Sequence, residues 1–190
     1  MGRCKDFEER EVLRKALACF WEKGYEAAST RDLAQAMGIS YGSVYNTFKD
    51  KRTLYLASLD FYICTFVKPI IERLHQATSA HTALQEILNQ AMDDSINHPT
   101  GCFATNTILT WANQDDEVAL KVSHMYASLE TAIEDLLIRA RKIGEIDAQA
   151  DLPGLATLVV NTLFGIHLAT RIGSSRDKLQ RMIAVVLTLI

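Results

Sequence analysis

The residue types able to do chemistry concentrate in Thr30 to Lys49, TRDLAQAMGISYGSVYNTFK. Tyr41, Gly42, Ser43, Tyr45, Asn46 and Thr47 fall on the outward side of a short helical segment and offer hydroxyls, an amide and bare backbone with hardly any charge. Hydroxyls and amides can contact base edges or phosphates in a groove, and a glycine lets backbone approach closely. A solvated exterior helix would more often carry Glu and Lys than this set. Lys49, Lys51 and Arg52 follow directly, where they can neutralise flanking phosphates. The chemistry indicated is reversible recognition of nucleic acid.

Other chemistries find little support. His75, His81, His98, His124 and His167 show no pair at the i, i+4 spacing of a helical metal site, so no metal and no cofactor is expected. There is no phosphate-binding glycine loop, and Asp93-Asp94 and Asp115-Asp116-Glu117 read as solvated helix ends; an enzyme is not expected. Cys4, Cys19, Cys64 and Cys102 lie far apart without a C-x-x-C pair, which fits reduced thiols in a cytoplasm. Cys102 follows Gly101 at a predicted helix start, where backbone amides and the helix dipole favour thiolate. Two readings of it stand side by side, a redox or electrophile sensor and a small buried hydrophobe.

The elements that must position these residues are helical. With 190 residues, 48% hydrophobic, 23% charged and three prolines, the chain is neither disordered nor of low complexity, and period-two alternation is nowhere sustained. Asp6 and Glu9 have the form of a capping box before Leu13, Ala16, Leu17 and Phe20, with Gly24 as the stop. Ser29 with Asp32 opens a second helix that ends at Gly38; Ser40 opens a third and Asp50 a fourth. Ala34, Gly38 and Val44 supply the small residue, the turn glycine and the branched locking residue that two steeply crossed helices need. Leu33, Met37, Ile39 and Phe48 fill the core beneath them. Beyond this head, helices are predicted near 51–76, 80–97, 102–113, 115–143, 151–172 and 175–190, with breaks at His98-Pro99-Thr100-Gly101, Gly144 and Gly173-Ser174-Ser175. Pro69 should kink or divide the first of them. The expected fold is all-α, with a DNA-binding head over residues 1–50 and a larger helical body over 51–190.

The head resembles that of the TetR-type transcriptional regulators. The resemblance runs through Phe20-Trp21, Gly24-Tyr25, Ser29-Thr30-Arg31-Asp32-Leu33-Ala34, Ala36-Met37-Gly38-Ile39-Ser40, Gly42-Ser43-Val44-Tyr45, Phe48-Lys49-Asp50-Lys51 and Leu54, densely over residues 7–60. It implies Thr30 and Arg31 near the start of helix two, with Tyr41, Gly42 and Ser43 entering the major groove. It also implies Tyr45 and Thr47 on the phosphate backbone or adjacent bases, and Lys51 on a phosphate. Many members start with a basic Gly-Arg-Pro-Arg arm; here Gly2-Arg3-Cys4-Lys5 keeps the charges and lacks the proline, so Arg3 and Lys5 either reach DNA or form an inert terminus.

Charge divides as it would for a nucleic-acid-binding module attached to another body: the net charge of -3 hides a basic excess in residues 1–52 and an acidic one in 53–190. In the body, Leu155, Leu158, Val159, Val160, Leu163, Phe164, Ile166, Leu168 and Ala169 wrap almost all round the 151–172 helix, and the 175–190 helix is similarly rich. A two-fold dimer giving both helices to a four-helix bundle would cover them, and the resemblance implies the same; an ordinary monomer core is the other reading. It further implies a small-molecule effector, for which Tyr62, Phe66, Phe103, Thr107, Trp111, Met125, Tyr126 and Phe164 are candidate pocket residues, although each also suits plain core packing. The expected function is a cytoplasmic homodimeric regulator that binds a palindromic double-stranded operator, is released by a small-molecule inducer and has no membrane partner. The alternatives are a thiol sensor of the same fold acting through Cys102 and a helical protein-binding adaptor.

Overall fold

The computed structural model describes residues 2–97, 100–111 and 114–190, with side chains from residue 9 onward. Among them every regular element is helical. Two compact units form, residues 1–66 and residues 67–190.

The first unit holds α1 (Gly2–Lys23), α2 (Thr30–Met37), α3 (Tyr41–Phe48) and α4 (Lys51–Tyr62). α1 begins ahead of Asp6, so the expected capping box at Asp6 does not open it. Nothing in Gly2-Arg3-Cys4-Lys5 stops a helix, the proline being absent. The side chains of Arg3, Cys4 and Lys5 lie outside the described residues. α2 starts as its sequence dictates: the Asp32 amide donates to Ser29 Oγ at 3.1 Å and the Ser29 amide to the Asp32 carboxylate at 3.0 Å. Gly38 ends it with φ 72°, a left-handed backbone that glycine adopts without steric cost, and the Ile39 amide reaches back to the Ala34 carbonyl at 3.1 Å. Ser40 and Asp50 cap α3 and α4 through the Ser43 and Thr53 amides. Phe20, Leu33, Val44 and Leu54 are fully buried, and the Phe20 and Tyr55 rings meet edge to face at 5.1 Å. α4 packs on α1, so packing divides the chain between Phe66 and Val67, whereas the turn chemistry placed the boundary at 50.

A π-helical turn, Ile63–Val67, follows α4 and leads into α5 (Lys68–Gln76). Pro69 sits in the first turn of α5, and the widened turn spans the residue four before it, whose carbonyl the proline ring would otherwise strike. The division expected at Pro69 therefore lies just upstream of it. The second unit continues with α6 (Ala80–Asn97), α7 (Phe103–Trp111), α8 (Asp116–Lys142), α9 (Leu152–Arg171) and α10 (Arg176–Leu187). The break expected at His98-Pro99 falls outside the described residues, as does the predicted end of α7 at 113. α10 stops at Leu187, short of the predicted 190.

Two helix ends in this unit are satisfied from far away in sequence. Glu145 accepts from the amides of Ala80 and His81, both at 3.0 Å, and from Ser79 Oγ at 2.6 Å, so it caps α6 from outside. Arg139 donates to the Leu74 carbonyl at 2.7 Å, at the last turn of α5. Gly101 has φ 74°, a left-handed backbone that favours glycine, and a Cβ there would lie 3.0 Å from Arg171 Cδ, so the arginine side chain would have to give way.

Candidate nucleic-acid interface

α2 and α3 are joined by so short a turn that α3 has one face free. Val44 and Phe48 point inward and are buried, which by the 3.6-residue period turns Tyr41, Gly42, Ser43, Tyr45, Asn46 and Thr47 outward, and all six are exposed. Tyr41 is 54% and Tyr45 47% exposed, and their rings lie 5.0 Å apart one helical turn from each other. The hydrogen bond to Tyr45 raises the Tyr41 phenol above its ordinary value, so Tyr41 presents a neutral hydroxyl. Ser43 Oγ lies 2.8 Å from Ser40 Oγ. A Cβ at Gly42 would meet only Ser40 Oγ at 3.9 Å, so the fold does not need glycine there; the backbone is bare toward the outside. Thr30 and Arg31 form the first turn of α2, Arg31 exposed and Thr30 half-buried.

Lys51 is placed differently from a side chain reaching into water. Its ammonium lies 4.3 Å from the centre of the Tyr25 ring and 3.3 Å from the Glu26 carbonyl oxygen. Sequence reasoning named Tyr25 only within the family resemblance and paired neither it nor Glu26 with Lys51, because the loop that carries them contacts α4 only through the fold. Lys49 joins α3 to α4 with φ 65° and ψ -54°, the Asp50 amide donating to the Phe48 carbonyl at 2.7 Å. That is a γ-turn of the strained hand, unusual for a residue with a side chain.

The body carries a cavity of about 520 Å³ between α7, α8 and α9. Of the candidate pocket residues, Thr107, Tyr126 and Phe164 line it, and the Tyr126 and Phe164 rings stack at 5.8 Å. Phe103, Trp111 and Met125 are buried in the core and do not line it. Tyr62 and Phe66 belong to the first unit, where both pack edge-on against Trp21 at 5.6 and 5.7 Å. The cavity brings in Thr105, Ser123, Asn161 and Gly165, which sequence reasoning passed over. Gly165, inside a helix with no turn to make, was the one signal available. Cys102, just ahead of α7, is 7% exposed. His167 hydrogen-bonds Ser95 Oγ, and burial lowers its pKa to about 4, so it is neutral at neutral pH. No group of three or more His, Cys, Asp or Glu that could hold a metal occurs among the described residues.

Comparison with known proteins bears on both units. The sequence profile described as "Bacterial regulatory proteins, tetR family" matches residues 12–58, and that of the "Tetracyclin repressor-like, C-terminal domain" matches residues 80–186. The chain is 30% identical to the HTH-type transcriptional repressor ComR of Escherichia coli over 99% of this chain and 91% of that protein. It is 28% identical to the HTH-type transcriptional regulator YezE of Bacillus subtilis over the full length of both. Among solved structures it is similar to CifR, a TetR family transcriptional regulator whose cysteine mutant is complexed with 26-bp double-strand operator DNA. The TM-score is 0.82 at 25% identity, covering 94% of this chain and 95% of that one.

Proposed function

The chain belongs to the TetR family of bacterial regulatory proteins, and from that membership we propose that it is a homodimeric repressor, holding a palindromic operator until a small molecule in the body releases it. It is a DNA-binding transcriptional regulator, of a family of regulators rather than of enzymes. The observation that carries the operator reading is the outward face of α3, neutral, hydroxyl-rich and bare at Gly42, where the fold itself asks for no glycine. Tyr41, Gly42 and Ser43 enter the major groove; Tyr45, Thr47, Thr30 and Arg31 contact backbone and neighbouring bases. Lys51 reaches a phosphate from its seat on Tyr25.

Dimerisation is supported by apolar surface. On α9, Leu158, Leu168 and Ile172 beside it are exposed, as are Val185 on α10 and Leu189 beyond it. Lys51–Gln76 and Leu152–Arg171 are also long and apolar enough to cross a membrane. The second of these carries Asn161 and His167 and divides its apolar residues between core and surface, the pattern of a bundle seam rather than of a lipid-facing helix. A regulator of DNA works beside the chromosome, so the protein is placed in the cytoplasm. Release then follows by population shift, to the extent that the effector binds one body conformation better than the other, with couplings of about 1–3 kcal/mol typical. The helix that starts at Lys51 and continues to Gln76 is the covalent path of that shift.

Selection from a pool of random duplexes at moderate salt tests the reading. An enriched palindrome with half-sites about 34–36 Å apart is expected, and its absence from a folded dimer would overturn it. On that operator, Lys51→Ala should weaken all sequences alike and lower the salt slope by about one, whereas Ser43→Ala should change which base is preferred. The thiol alternative makes a separate demand: mild oxidant must modify the buried Cys102 and release the operator together. The adaptor alternative requires that no duplex be enriched.

A further inference from the structure

Asn46 stands two residues from each of the inward anchors of α3, Val44 and Phe48, and so roughly half a turn round the helix from both. No other position of α3 lies so squarely opposite the buried side, and Asn46 is exposed. It divides the outward face into two flanks. Tyr41 and Tyr45, one turn apart with their rings 5.0 Å from each other, lie on one flank; Ser43 and Thr47, also one turn apart, lie on the other. Between the flanks, one turn before Asn46, there is only Gly42.

Gly42 has helical backbone rather than left-handed, and a Cβ there would meet nothing nearer than Ser40 Oγ at 3.9 Å. Neither conformation nor crowding asks for glycine, which is a poor helix former. Side chains on a helix lean toward its N-terminus, so the Asn46 amide is carried over the ground that a side chain at position 42 would occupy. Bare backbone at that point lets the edge of another molecule come up to the amide.

The neighbouring hydroxyls are engaged within the protein: Tyr41 hydrogen-bonds Tyr45, and Ser43 Oγ lies 2.8 Å from Ser40 Oγ. Among the described residues none hydrogen-bonds the Asn46 amide. It is the only side chain of α3 that holds a donor and an acceptor side by side in one plane. In the major groove adenine alone offers the matching pair on one base, an acceptor at N7 beside a donor at N6. Guanine offers two acceptors, so the amide oxygen would face O6 with no proton between them; cytosine offers a donor, and thymine an acceptor with a methyl group. Arginine and lysine, the commonest readers of guanine, are absent from α3.

We propose that Asn46 is a specificity-determining residue of the head. Its Nδ2–H donates to adenine N7 and its Oδ1 accepts from the adenine N6–H, across the bare backbone of Gly42, so each operator half-site carries an adenine under the middle of α3. The assignment rests on the reading of α3 as the helix that enters the major groove, and it names the base that helix reads.

Duplex selection with the full-length parent, Asn46→Ala and Gly42→Leu tests this, followed by titration of the parent's selected duplex. The parent should enrich a palindrome with an invariant adenine in each half-site. Asn46→Ala should lose the preference at that position alone, the discrimination falling about tenfold or more. Replacing that adenine by 7-deazaadenine, which lacks the N7 acceptor, should weaken the parent about tenfold and leave Asn46→Ala unaffected. Gly42→Leu, which lays a side chain under the amide, should lose the adenine preference without lowering the urea midpoint, because nothing in the fold crowds that position. Four results would each overturn the proposal: an unchanged selected sequence in Asn46→Ala, a base other than adenine at the position it affects, an equal 7-deazaadenine penalty in parent and variant, or adenine preference kept in Gly42→Leu. Failure of the wider reading looks different. A parent that enriches no palindrome removes the operator and this assignment with it, whereas a parent operator shared unchanged by Asn46→Ala removes only the adenine contact.

Discussion

At the scale of single residues, Lys49 carries two opposed demands. Its positive φ costs roughly 1 kcal/mol or more for a residue with a side chain, and glycine would relieve it. Its charge stands beside the outward face of α3, where a phosphate would lie. Lys49→Gly should therefore raise the urea midpoint by the equivalent of about 0.5–1 kcal/mol with an unchanged slope. It should also weaken operator binding and reduce the salt dependence by about one. A variant that lost stability would show that the turn is not strained. The outward residues of α3 were legible in the sequence because helical period and the two inward anchors, Val44 and Phe48, fix which way the others point. The Lys49 conformation was not, since it arises only when two capped helices must be joined by two residues in a folded head. The cradle of Lys51 on Tyr25 was hidden for a similar reason, being a contact between residues far apart in the chain.

At the scale of elements, local signals and remote ones had different fates. Ser29 with Asp32, Ser40 and Asp50 cap the helices they were expected to open, because a cap is an interaction within three residues and sequence spacing determines it. The cap of α6 comes instead from Glu145, and spacing cannot announce that. Burial pushes the Glu145 carboxyl up, but the Ser79 hydroxyl and the amides of Ala80 and His81 prevail and hold it below the usual carboxylate value. Glu145→Ala should cost about 1–2 kcal/mol in thermal or urea unfolding, the range of a lost cap. Because the folded pKa is depressed, that stabilisation is present above the ordinary value of 4.5 and is lost as pH falls below it. The gap between parent and variant should thus be full near neutrality and close in acid; a gap independent of pH would mean that the carboxylate charge is not what caps α6. The π turn before α5 was half legible: Pro69 announced a disturbance, and only packing determined that the backbone would widen upstream rather than bend at the proline.

At the scale of the whole molecule, a single chain leaves apolar surface that composition alone had flagged. Val185 is 63% exposed on α10, so charge there should be tolerated by the isolated subunit. Val185→Arg should keep its helicity and yet sediment as a monomer, and its operator affinity should fall steeply because one head contacts only one half-site. A stable dimer of this variant would place the interface elsewhere. The all-helical plan and the head were readable from period, caps and turn glycines; the cavity was not, because it is defined by what three helices fail to fill. The two remote caps also bear on the order in which the chain acquires its structure during synthesis. Residues 1–66 find their packing partners within their own stretch. The end of α5 at Leu74 and the start of α6 at Ala80 wait for Arg139 and Glu145 to leave the ribosome. At about 5–20 residues per second that is a delay of several seconds, during which a finished head trails a body whose first helices have open ends. Nascent chains arrested in that interval are where a chaperone would find the most to hold.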